Sequence, residues 1–266
     1  MKIGIVGCAG RMGRMLVAEV LGRDGCELAG GSELPGSEVI GKDVAAVAGF
    51  DAAGISIVDN AQAVFAAADV VVDFTLPQAT IGHAQLSAAN GTALVIGTTG
   101  LNADQQAAVD EAATKVTVIQ AANMSVGINL LLGLTAQVAG ILGDDYDIEI
   151  VEMHHRHKVD APSGTALALG QAAADGREVD LEAVSQRVRD GHTGARRAGD
   201  IGFATLRGGD VVGDHTVMFA GEGESILLTH KAGSRAVFAR GAIRAALWCK
   251  NKAPGIYSMR DVLGLA

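Results

Sequence analysis

The chain opens with an apolar strand pattern, Ile3-Gly4-Ile5-Val6, that runs straight into Gly7-Cys8-Ala9-Gly10-Arg11-Met12-Gly13 and an amphipathic helical stretch. No other feature restricts the fold as much. Glycines at this spacing require a strand-to-helix turn: Gly7 makes the tight bend, Gly10 lets a ligand approach the backbone, and Gly13 lets helix and strand pack closely. The first amides of such a helix have no partner within it and favour phosphate. Glu33 lies twenty residues beyond Gly13, at the end of the next strand pattern, where a carboxylate accepts ribose hydroxyls. Together these features predict a dinucleotide site.

The residue after Glu33 is Leu34, which cannot neutralise a 2′-phosphate. NADH is therefore expected to serve at least as well as NADPH, unless Arg11 or Lys42 reaches the region.

Short β-branched runs alternate with Ala-rich helical stretches through the first half. Strands are predicted at 2–7, 27–31, 55–58, 70–74, 94–96 and 116–120, with helices at 11–21, 61–67, 80–89 and 103–114. Such alternation implies a parallel sheet covered by helices on both faces. The pattern changes after Val126. A helix at 128–142, a strand at 148–153 and a helix at 164–174 lead into strand-like runs at 184–188, 201–206, 211–219 and 225–229. Strands in succession imply an antiparallel or mixed sheet. A last amphipathic helix is predicted at 234–249. The expected fold is α/β: a Rossmann-like parallel-sheet domain, 1–125 plus 235–266, and a smaller α+β domain, 126–234.

Lys plus Arg number 21 against 30 Asp plus Glu, a net charge of −9. That balance argues against nucleic-acid binding. No charge occurs between Lys115 and Asp144, a span long enough for a membrane helix. Gln120, Asn123, Ser125, Asn129 and Gln137 interrupt it, so no membrane association is expected. The N-terminus lacks an export-signal pattern. Cys8, Cys26 and Cys249 show no metal spacing and are expected as free thiols in a reducing cytoplasm.

In this acidic chain one segment stands out, His154-His155-Arg156-His157-Lys158, followed by Val159-Asp160-Ala161-Pro162-Ser163-Gly164-Thr165. Pro and Ser before Gly-Thr mark a helix start, and its free amides with the Ser163 and Thr165 hydroxyls would make an anion site. A plain polar loop and a metal site at His154, His155 and His157 are the competing readings. No further carboxylate or cysteine pattern supports metal, so none is expected. A site for an anionic small molecule with proton-transfer groups is favoured.

Glu152 to Thr165 reads E-x-H-H-R-H-K-x-D-x-P-S-G-T, and with it the chain resembles the 4-hydroxy-tetrahydrodipicolinate (dihydrodipicolinate) reductase family over essentially its whole length. Gly7–Gly13, Asp73-Phe74-Thr75 with Pro77, Gly97-Thr98-Thr99-Gly100, Ala121-Ala122-Asn123-Met124-Ser125, Gly191-His192-Thr193-Gly194 and Gly213-Asp214-His215-Thr216 carry the same resemblance. It implies reduction of a cyclic imine dicarboxylate with NADH or NADPH in diaminopimelate and lysine biosynthesis, by a cytoplasmic homotetramer.

By this resemblance, Gly7, Cys8, Ala9, Gly10, Arg11, Met12 and Glu33 bind the cofactor. Gly97, Thr98, Thr99, Ala121, Ala122, Asn123 and Met124 lie along its nicotinamide half. His154 and Lys158 carry over as the catalytic proton-transfer residues, with either able to give the final proton. His155, Gly164 and Thr165 carry over as substrate-carboxylate contacts, beside Ser163. Leu34 and Leu76 depart from relatives that have Arg there, which weakens any expectation of NADPH preference. A related amino-acid dehydrogenase, a non-catalytic NAD(H)-sensing module and a metal-dependent hydrolase are the alternatives. The presence of both His154 and Lys158 argues against the sensor.

Overall fold

A computed structural model describes residues 1–265. The chain begins with β1 (Lys2–Val6), α1 (Arg11–Leu21), β2 (Glu27–Ser32), α2 (Val44–Val47), β3 (Ile57–Val58) and α3 (Ala61–Ala67). It continues with β4 (Val70–Asp73), α4 (Pro77–Asn90), β5 (Ala93–Ile96), α5 (Ala103–Ala113) and β6 (Thr117–Gln120). After these come α6 (Val126–Leu142), β7 (Asp147–His154), α7 (Gly164–Gly176), α8 (Leu181–Val184) and β8 (Ser185–Gln186). The last elements are β9 (Ile201–Arg207), β10 (Gly213–Ala220), β11 (Ser225–Ala232), α9 (Ala236–Trp248), β12 (Gly255–Tyr257) and α10 (Met259–Leu263). Two compact units result: Met1–Val126 with the chain from Arg235 onward, and Gly127–Ser234.

In the first unit seven parallel strands run in the order β12-β6-β5-β4-β1-β2-β3, a Rossmann-like sheet. Its strands are apolar on both faces because both are covered. Ile3, Ile5, Val70, Val72 and Val95 face a core shared with Leu16, Val17 and Val20 of α1 and Ala242 and Ile243 of α9. Their neighbours Val71, Leu94 and Ile96 face the opposite way, onto Phe65 of α3, Ala84 of α4 and Val109 of α5. With aromatics at 3%, these aliphatic side chains carry the core, each contributing roughly 1.5–3 kcal/mol when fully buried.

The second unit is a mixed sheet, β11-β10-β7-β9-β8. β7 pairs antiparallel with β10 and parallel with β9. Ile148 and Ile150 of β7 pack with Phe203, Val217 and Phe219 against Leu169 and Ala173 of α7. α6, with the turn after it, is the one stretch among the described residues long and apolar enough to cross a membrane. Its Leu131 and Ala139 enter this core, while Leu130, Leu134 and Ile141 are exposed.

The strand predicted at 184–188 is corrected to the two residues of β8. The Asp180 side chain accepts the amide of Glu182 and so caps a helical turn through Val184. Helix α2, strand β12 and helix α10 have no counterpart in the sequence-based expectation. β12 has three residues, too few to display a period.

Candidate active site

In the first unit the strand order reverses between β1 and β4, whose following helices go to opposite faces. Such a switch point opens a crevice at the carboxyl ends of the strands. Here a cavity of about 320 Å³ is lined by Gly7, Gly10, Glu33, Asp59, Leu76 and His83, among others. Gly7 has φ 66°, the left-handed region a side chain resists. A Cβ on Gly13 would stand 2.1 Å from the Gly7 oxygen, so α1 abuts the turn. No side chain caps α1, which leaves its first amides to a ligand. The Ala9 amide donates to Glu33 Oε1 at 2.8 Å, holding the carboxylate against the glycine loop. These residues fit a dinucleotide, the pyrophosphate at the start of α1 and a ribose at Glu33.

Asp73, at the end of β4, organises the neighbouring loops. Its buried carboxylate accepts from the Thr75 amide at 2.9 Å, Thr75 Oγ1 at 2.6 Å and Thr98 Oγ1 at 3.0 Å. His83 Nδ1 lies 2.8 Å away. Burial alone would raise the Asp73 pKa; the His83 imidazole and the Thr75 donors outweigh it and hold the group below the ordinary carboxylate value.

A second cavity, about 330 Å³, brings together many of the expected cofactor residues: Arg11, Met12, Gly97, Thr99, Ala122, Asn123 and Met124. Thr98 is instead committed to Asp73, and Ala121 borders a separate cavity beside Gln106 and Tyr257. The Cys8 thiol is 1% exposed, and burial, then Glu33, push its pKa up to about 12. It is a filler packed against β2. Sequence reasoning missed Asp59 and His83 in the first cavity and Arg235 and Phe238 in the second. None lies in a recognisable motif; the last two sit at the start of a helix that reads as an ordinary amphipathic one.

In the second unit the face of β7 that carries Ile148 and Ile150 continues through Glu152 and His154, because alternate residues share a face. The same face is apolar at one end and ionisable at the other. Glu152 is 1% exposed. Its Oε2 lies 2.5 Å from His154 Nδ1 and accepts Arg207 Nη1 at 2.9 Å; its Oε1 accepts Arg207 Nη2 at 2.9 Å and the Ser163 amide at 3.0 Å. Burial would raise Glu152, but the Arg207 guanidinium, His154 and the Ser163 amide prevail and keep it ionised. A carboxylate cannot donate, so His154 Nδ1 carries the proton shared with it and Nε2 is the nitrogen left for chemistry. Space beside that nitrogen depends on Gly213, whose added Cβ would lie 3.0 Å from it.

Across the sheet, the His215 ring stands edge-on to His154, with centroids 5.0 Å apart. Its Nε2 meets Ser163 Oγ at 3.1 Å. That hydroxyl accepts the Ala166 amide at 3.1 Å and so caps α7. Ser163 is thus turned inward and builds the helix start, while Gly164 is exposed and Thr165 half-buried there. His155 is half-buried at the end of β7, its amide bonded to the Val211 oxygen at 2.7 Å. Lys158 Nζ lies 2.7 Å from Asp160 Oδ1, and Arg207 Nη2 donates to the Asp160 oxygen at 2.6 Å. Among the described residues no group of three His, Cys, Asp or Glu is arranged to hold a metal ion. The arrangement offers a proton-transfer imidazole, an ammonium and an anion-binding helix start.

Comparison with known proteins identifies the family. The family models for the N-terminus and the C-terminus of dihydrodipicolinate reductase match residues 1–124 and 127–263. A 4-hydroxy-tetrahydrodipicolinate reductase from Ruegeria pomeroyi is 55% identical over 263 residues, covering 99% of this chain and 98% of the relative. One from Thiobacillus denitrificans is 54% identical over 264 residues, with the same coverage. Among solved structures, the dipicolinate-bound dihydrodipicolinate reductase from Paenisporosarcina sp. TG-14 aligns with a TM-score of 0.74 at 25% identity, over 97% of each chain. An amine dehydrogenase from Mycobacterium smegmatis, at TM-score 0.61 and 12% identity over 97% of this chain and 95% of its own, shares the fold alone.

Proposed function

The chain belongs to the dihydrodipicolinate reductase family, and from that membership we propose which of its residues perform the reaction. The activity is the NAD(P)H-dependent reduction of 4-hydroxy-tetrahydrodipicolinate, via dihydrodipicolinate, to tetrahydrodipicolinate, a step of diaminopimelate and lysine biosynthesis. The nicotinamide nucleotide, when bound, supplies the hydride. The protein must hold two carboxylates, accommodate the electron-rich product of reduction and deliver a proton.

The observation that carries the assignment is the convergence of His154, Lys158 and the start of α7 at the polar end of one sheet. His154 exchanges a proton through Nε2, its other nitrogen being held by Glu152. Lys158 is the second proton donor, and its charge favours the electron-rich intermediate. Gly164 and Thr165 at the start of α7, with His155, receive the substrate carboxylates.

Gly7–Met12 and Glu33 hold the adenosine and pyrophosphate portion, and the cavity bordered by Gly97, Thr99 and Ala122–Met124 receives the nicotinamide. NADH is used at least as well as NADPH. Two carboxylates, Glu33 and Asp59, line the ribose cavity with Leu34 and Leu76; among the described residues neither Arg11 nor Lys42 lines it. The assembly is a cytoplasmic homotetramer, in line with the family resemblance, with the exposed Leu206, Ile226 and Leu227 of the second sheet as candidate contacts.

A coupled assay tests the whole reading. Dihydrodipicolinate synthase generates the substrate from pyruvate and aspartate semialdehyde, and absorbance at 340 nm is followed with each nucleotide in turn. Loss of absorbance that requires both enzymes is expected. No turnover from protein that still binds NADH would leave the sensor reading in its place. Light scattering gives the assembly.

A further inference from the structure

Four donors converge on the Glu152 carboxylate, and each oxygen takes two of them. Oε2 receives His154 Nδ1 and Arg207 Nη1; Oε1 receives Arg207 Nη2 and the Ser163 amide. A carboxylate offers about four lone-pair sites, so this one has none left for a substrate or a water. It is also 1% exposed. Glu152 therefore has no reacting atom to touch, yet its partners lie on three elements of the site. His154 ends β7, Ser163 starts α7, and Arg207 ends β9 and reaches on to the Asp160 oxygen beside Lys158.

We propose that Glu152, with Arg207 as its counter-charge, is the positioning residue of the reductase, fixing the tautomer and aim of His154. This rests on the reading of His154 as a proton-transfer group. An ionised carboxylate at Nδ1 leaves only Nε2 for the substrate, and its charge favours the imidazolium a proton donor needs. Arg207 tempers that charge. Buried ion pairs contribute little net stability compared with apolar packing of the same volume, so a stabilising role alone is a weak reason for this one. The other ionisable groups around His154 are His215 on β10, with His230 opposite it on β11, and Lys158 and Asp160 in the loop before α7.

The test uses the full chain in the coupled assay, with Glu152→Gln, Arg207→Gln, His154→Ala and the Glu152→Gln/His154→Ala double variant. Glu152→Gln is expected to lower kcat about 10²-fold, the lower end of a general acid's contribution. Once His154 is absent, the same change should cost less than about twofold, because the two act as one unit. The high-pH limb of the kcat profile should move to lower pH in Glu152→Gln and to higher pH in Arg207→Gln. A merely structural carboxylate would move neither limb and would cost the same factor with or without His154; either result overturns the proposal. If Glu152→Gln fails to fold, Arg207→Gln, which keeps the carboxylate, carries the test through its opposite shift, and an unmoved limb there overturns it. Full activity in His154→Ala would instead remove the parent reading and this one with it.

Discussion

A Cβ on Gly241 would stand 1.7 Å from the main-chain oxygen of Met124. The contact ties α9, near the end of the chain, to the loop after β6 whose Met124 borders the second cavity of the first unit. Gly241→Ala restores about 1 kcal/mol of helix propensity, but it drives a carbon into backbone that must move, at about 1–3 kcal/mol or more. The variant should melt several degrees lower and bind NADH more weakly. Thermal unfolding with an NADH titration checks this; an unchanged melting temperature would mean that helix and loop separate freely.

Lys158→Ala should lower kcat by about 10²- to 10⁴-fold, the range of a positioned acid, with the NADH dissociation constant within about twofold of the parent. The reason for the split is location: Lys158 is held by Asp160 in residues 127–234, while the two cavities proposed for the nucleotide are lined by the other unit. Loss of NADH affinity would place Lys158 at the wrong ligand.

Thr165→Ala should raise KM for the dicarboxylate about tenfold and change kcat less. One hydrogen bond to a charged group contributes roughly 1.5–3 kcal/mol, and a contact made equally before and during reaction appears in KM. Steady-state kinetics decide it, and an unaltered KM removes Thr165 from the anion site.

Leu34→Arg should shift the ratio of kcat/KM toward NADPH by about tenfold or more. Leu34 is 66% exposed beside the Glu33 and Asp59 carboxylates, so a guanidinium there would answer a 2′-phosphate that both acids now repel. An unmoved ratio would mean that the ribose does not lie against this loop.

His215 makes stability depend on pH. Burial, followed by the neighbouring His154, pushes its imidazole down to about 4. An unfolded chain takes up the proton near 6.5 and the folded one resists it, so acid favours unfolding. Stability should fall as pH drops from 6.5 toward 4, by about 3 kcal/mol in all. Glu152 and Asp73, whose pKa values are lowered from 4.5 and 3.8, begin to lose their contributions only at the acid end of that window and below it. Calorimetry on the parent and on His215→Asn should show a flatter curve for the variant in that window; parallel curves would contradict the assignment.

Much of this molecule was legible in one sequence because its signals are local. Gly7, Gly10 and Gly13 with Glu33 announce a dinucleotide turn through spacing alone, and the boundaries of α1 and α3 follow from their apolar period. His154 to Thr165 is a single uninterrupted stretch. What escaped depends on distant partners. Asp59, His83, Arg235 and Phe238 reach their cavities only through tertiary packing. The Glu152 carboxylate was visible inside a motif, but its Arg207 clamp comes from a strand fifty-five residues later. The partner of the Ser163 hydroxyl, His215, is likewise brought alongside from β10, fifty-two residues later.

The unit of residues 127–234 is inserted within the other, so the two finish at different times as the chain is made. Residues 127–234 contain every strand of the mixed sheet and are complete once Ser234 has been added. The parallel sheet still lacks its edge strand β12 then, and one of its faces still lacks Ala242 and Ile243 of α9. On the ribosome, the part that begins first is therefore the last to close its core, and its second cavity gains both walls only after Arg235 and Phe238 have emerged.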